Sequence, residues 1–150
     1  MFQAIQASLL PRLARLAAQQ SFDEFRRGLR LLVVVVAGVG IIGTIVAGAL
    51  GPWVLEFVYG AELSGRTLAM LALSSALYMM AIAVSQAVLA LEDHAYVALG
   101  WVIAVLAFIT GTWFSSTELF RRIEIGLVFS SLAAVIVFAL RLRQRLSRLA

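Results

Sequence analysis

Three groups of residues have types and spacings that could carry chemistry. The first is Gly38-Val39-Gly40-Ile41-Ile42-Gly43, a G-x-G-x-x-G pattern that lets a backbone approach a pyrophosphate. Valines precede it as a strand would, and Glu62 follows at about the ~20-residue spacing at which an acid meets a ribose hydroxyl. The second is Glu92-Asp93-His94, two acids beside the single histidine and so a weak set of metal donors. The third is Ser74, Ser75, Tyr78, Ser85 and Gln86, which offer hydroxyl and amide groups from an otherwise apolar stretch. Cysteine is absent, so neither a disulfide framework nor a thiolate metal site exists. What each group can do depends on the element that holds it.

Composition identifies those elements. Apolar residues make up 63% of the chain and charged residues 13%, against about 45–50% and about 25% in soluble domains. A mean hydropathy of +1.00 agrees, and the chain reads as an integral membrane protein. Residues 31–55 carry no charge. As a helix this run reaches roughly 37 Å, enough to cross a hydrocarbon core of about 30 Å with some tilt. The pattern predicts one all-α transmembrane domain with four spans, at about 31–50, 67–91, 95–114 and 122–142. An amphipathic or partial helix over residues 1–20 precedes them. That segment is no signal peptide, since no positive region leads it and no small-residue cleavage pattern follows. Ser21-Phe22-Asp23-Glu24 fits a capping box that starts a short charged surface helix, and Gly51-Pro52 is expected to end the first span.

Placed on a span, the first group loses its nucleotide reading. A helix behind a phosphate turn should be amphipathic, whereas residues 41–50 are apolar or small on every side and no βαβ series follows. The glycines instead form two stripes at spacing four, Gly40, Thr44, Gly48 and Gly43, Ala47, Gly51, which would let helix backbones approach closely in lipid. The second group reads as a tight charged turn between spans. The third has two readings. Its side chains hydrogen-bond between helices, worth about 0.6 kcal/mol each, or Ser75, Tyr78 and Gln86 line a water-filled cavity and touch substrate.

No acid, lysine or arginine falls in the middle of a predicted span, where charge usually marks an ion path. No nucleophile has a neighbouring base, so catalysis, cofactors and metals are not expected. All twelve basic residues are arginines. They flank the apolar runs, which suits anionic lipid and topology signals rather than nucleic acid. With both termini in the cytoplasm, nine arginines lie inside and Arg66, Arg121 and Arg122 outside, so that orientation is favoured. The turn at Glu92-Asp93-His94 then lies inside without a basic residue of its own.

Several stretches together carry a resemblance. LLPRLARLAAQQSFDEFRRGLR looks like a helix end and cytoplasmic connection; an apolar helix follows, then GPWVLEFVYGAEL, then LAMLALSSALYMMAIAVSQAVLALEDH and a further apolar pair. In this order they resemble the polysaccharide flippases of the multidrug/oligosaccharidyl-lipid/polysaccharide exporter superfamily, which includes O-antigen and capsular polysaccharide exporters. The resemblance implies alternating access that moves lipid-linked oligosaccharide across a bacterial cytoplasmic membrane, within two lobes around a central cavity. This chain would correspond to the C-terminal part of the second lobe, with a missing lobe or further copies of itself as partners. The competing expectation is a stand-alone four-span protein, either accessory to cell-surface glycan synthesis or a small exporter. The exporter version lacks the buried first-span glutamate that small multidrug exporters require.

Overall fold

A computed structural model describes residues 22–60, 62–115 and 118–148. They form four helices: α1 (Phe22–Tyr59), α2 (Gly65–Ala90), α3 (His94–Phe114) and α4 (Leu119–Arg148). Each is long and apolar enough to cross a membrane, and the chain is a multi-pass membrane protein. No strand occurs among the described residues, and the expected N-terminal helix and the Ser21 cap lie outside them.

The first helix corrects the sequence reading. The charged segment and the apolar run are one continuous helix, and Gly51-Pro52 does not end it. Proline removes one helical hydrogen bond, the one its N–H would make to the Gly48 carbonyl, but a neighbouring helix can compensate for that loss in a membrane. The stop comes at Gly60, whose φ of 62° is the left-handed conformation glycine adopts without penalty. Its N–H donates to the Glu56 carbonyl at 3.0 Å. Ser64 then caps α2 by accepting from the Thr67 N–H at 3.2 Å.

Across the layer the helices run α1, α2, α4, α3. Sequence neighbours α2 and α3, joined by residues 91–93, make few contacts because α4 packs against both. Many of the buried positions are small: Ala81, Ala83 and Ala87 on α2, Ala104 on α3, Ala134 on α4. Without a hydrophobic drive between helices in lipid, small residues bring backbones into van der Waals contact. Many large apolar side chains point outward, as at Val39, Ile42 and Ile45 on α1 and Val102 and Leu106 on α3, while Phe25, Phe138 and Leu142 are buried. Trp53, Phe57 and Tyr59 at the end of α1, Trp113 and Phe114 at the end of α3, and Phe120 near the start of α4 are all exposed. These positions share one end of the bundle, where an aromatic belt meets the interface. The arginine-rich ends of α1 and α4 lie at the other.

Candidate functional site

A cleft of about 650 Å³ opens where α2, α3 and α4 meet. Ser74, Ser75 and Tyr78 of α2 line it together with Ser130 and Ser131 of α4, and the other half of the wall is apolar: Leu71 and Met79 of α2, Val105 and Phe108 of α3, and Leu127 of α4. Ser74 and Ser131 are buried. The Ser74 and Ser75 hydroxyls both donate to the Leu71 carbonyl, at 2.8 and 2.9 Å. Their protons are thereby used within α2, and their lone pairs remain free to accept from a ligand's hydroxyl or amide. Tyr78 is half exposed, and its ring leans on Trp101 at 5.8 Å between centroids. Trp101 in turn meets the fully buried Phe138 edge-on at 5.4 Å. The arrangement offers hydroxyl groups to a polar ligand, and no charged side chain is among the residues that line it.

Of the three residues singled out from sequence, Ser75 and Tyr78 share this cleft and Gln86 does not. Gln86 lies eleven residues past Ser75, roughly three turns along α2. The serines of α4 add to the cleft what sequence reasoning overlooked. The signal was available in Gly126, Ser130 and Ala134, small residues at spacing four.

Charge is concentrated at the two ends of the helices. In the turn before α3, Asp93 is buried and accepts from Arg141 Nε at 2.6 Å and Arg145 Nε at 2.9 Å. Burial disfavours its charge, but the hydrogen bonds and positive charges of Arg141 and Arg145 outweigh that and hold its carboxyl below the usual carboxylate range. Arg141 also covers the Tyr96 ring at 3.5 Å. Asp93 is therefore a clamp for α4, and the turn that lacks basic residues of its own borrows two from the tail. At the opposite end, Glu124 is buried inside α4 and its Oε2 lies 3.6 Å from Arg66 Nη2. That distance suits an ion pair but exceeds a hydrogen bond, and Oε2 has no hydrogen-bond partner among the described residues. Arg122 Nε donates to the Thr112 carbonyl at 2.8 Å and ties α4 to the end of α3.

The glycine stripes divide by what they touch. A Cβ on Gly40 would come within 2.6 Å of Ala76 Cβ, and one on Gly48 within 3.1 Å of Ala69 Cβ. On Gly51 it would meet Leu68 Cδ1 at 2.7 Å. These three seat α1 on α2, and Thr44, between them, donates to the Gly40 carbonyl at 2.8 Å. Ala47 is partly buried, while Gly43 meets nothing within 4 Å and borders a groove of about 410 Å³ between α1 and α2, which Ser75 also lines. Close approaches that the sequence reading did not single out occur at Gly65 against Gly48, Gly100 against Phe138, and Gly111 against Gly126.

No protein-family model, curated protein or solved structure matches the chain.

Proposed function

We propose that the chain is the C-terminal part of a flippase that moves lipid-linked oligosaccharide across the cytoplasmic membrane by alternating access, with no catalytic step of its own. The observation that carries this reading is the serine- and tyrosine-lined cleft at membrane depth. A glycan crossing hydrocarbon must exchange its hydroxyl–water hydrogen bonds for others, and Ser75, Tyr78 and Ser131 offer such partners without a fixed charge to trap the substrate. The layer is also open on one side. Outer residues of α1 such as Val39, Ile42 and Ile45 are exposed, which suits docking of a further lobe or a second copy. The arginine distribution favours both termini in the cytoplasm, and the clamp at Asp93 puts the Glu92 turn at the same end as the tail.

The test is to disrupt the gene in the cell that carries it. Loss of surface glycan, with lipid-linked precursor accumulating on the cytoplasmic leaflet, is expected. Unchanged surface glycan contradicts the proposal.

A further inference from the structure

A second, larger cleft lies at the arginine-rich end. About 710 Å³ in volume, it sits between α1, α2 and α4, within the usual ~300–1,000 Å³ range of ligand pockets. Its walls are hydrocarbon along most of their length: Leu29 and Val33 of α1, Leu77 and Met80 of α2, Val135 and Leu142 of α4. Only one end is polar, where Arg26, Arg143 and Ser147 form the rim. From Arg26 to Val33 the cleft follows α1 for roughly 10 Å, and from Leu146 to Val135 it follows α4 for roughly 16 Å.

The rim arginines differ from those held by Asp93. Among the described residues neither Arg26 nor Arg143 forms an ion pair with a carboxylate. Asp23 and Glu24, on the first turn of α1, are exposed and do not pair with Arg26. Arg26 Nη2 donates to the Leu146 carbonyl at 3.1 Å, which holds the guanidinium across the gap between α1 and α4 and leaves its other N–H groups free. Seven arginines at this end, in residues 26–30 and 141–148, exceed its four acids, Asp23, Glu24, Glu92 and Asp93.

We infer that this cleft binds an anionic phospholipid, with its phosphate on Arg26 and Arg143 and an acyl chain along Val33, Leu77 and Met80. The asymmetry selects this occupant. A soluble phosphate would satisfy the arginines but leave the apolar walls uncovered, and a zwitterionic lipid would bring a cation to an already positive rim. Guanidinium groups suit the planar, bidentate recognition of phosphate oxygens. The inference is independent of the cargo proposed above, because it concerns a different cleft.

The full chain, purified in detergent, is incubated with phosphatidylglycerol or phosphatidylcholine and examined by native mass spectrometry. Retention of phosphatidylglycerol in preference to phosphatidylcholine is expected. Joint R26Q and R143Q substitution should weaken it by roughly tenfold or more. Ala139 is an exposed residue lining the cleft, so A139W fills the space while leaving both arginines and the buried core in place, and it should abolish retention too. Helicity by circular dichroism confirms that each variant is folded, and A139W alone decides the matter if the arginine variant is not. Equal retention of both lipids, or unchanged retention in A139W, overturns the inference. So does displacement of the lipid by inorganic phosphate alone, which would make the site a soluble-anion site.

Discussion

Gly65, the first residue of α2, lies directly against the Gly48 carbonyl of α1. A side chain on Gly65 would overlap that oxygen and approach Pro52 Cγ to 3.4 Å. This is the carbonyl that Pro52 leaves without its helical donor. The hydrogen bond lost at Pro52 in this 38-residue helix thus falls where α2 packs tightly against α1.

Gly65→Ala should therefore destabilise the chain by about 1–3 kcal/mol, the usual range for overpacking at a tight contact. Thermal unfolding in detergent reads this out. Gly43→Ala is the matched control, because a Cβ there meets nothing. It should be neutral or stabilising by up to about 1 kcal/mol through helix propensity.

Asp93 makes stability depend on pH. Its folded pKa is depressed, so its contribution is intact above the unfolded value of about 4 and is lost as pH falls through the folded value. Arg145 is 37% exposed, so its share is reduced by solvent screening. Asp93→Asn should cost about 1–3 kcal/mol at neutral pH. The Tm gap between the wild type and this variant should narrow as the pH is lowered below about 4. A gap that stays constant across that range would show that the carboxylate charge is not the source of the clamp.

Arg66 and Glu124 should be coupled. Removing Arg66 leaves a buried carboxylate without its counter-charge, whereas removing both leaves an apolar site. Arg66→Ala should thus destabilise the wild type yet change the Glu124→Leu background by no more than about 0.5 kcal/mol. A double-mutant cycle measures the coupling, expected at about 0.5–3 kcal/mol. Simple additivity would mean that the 3.6 Å pair contributes nothing.

The sequence made the four spans legible because long uncharged runs and flanking arginines need no tertiary information. It misjudged Gly51-Pro52, since proline ends helices in water, while here α2 packs against the carbonyl it frees. The clamp on Asp93 was hidden because its arginines lie 48 and 52 residues away. Their spacing of four placed Arg141 and Arg145 on one face of α4 without revealing what that face meets. For the cleft, Ser75 and Tyr78 stood out as hydroxyl-bearing residues in an otherwise apolar α2, and their spacing of three brings them within one turn of each other. The contribution of Ser130 and Ser131 depends on α4 lying between α2 and α3, an order that chain connectivity does not dictate. Gln86 shares a face with Ser75 but sits too far along the axis to share its cleft.

The central claim, that the serine–tyrosine cleft is a passage for a hydroxyl-rich cargo, is most directly tested by single-cysteine accessibility. The chain has no cysteine of its own, so each substitution gives an unambiguous signal. Ser75→Cys and Tyr78→Cys, in membranes of cells carrying the chain, should react with a membrane-impermeant maleimide, while a cysteine at the outward-facing Val102 of α3 should not. If both cleft cysteines resist labelling from either side of the membrane, the cleft is dry and the passage reading is wrong.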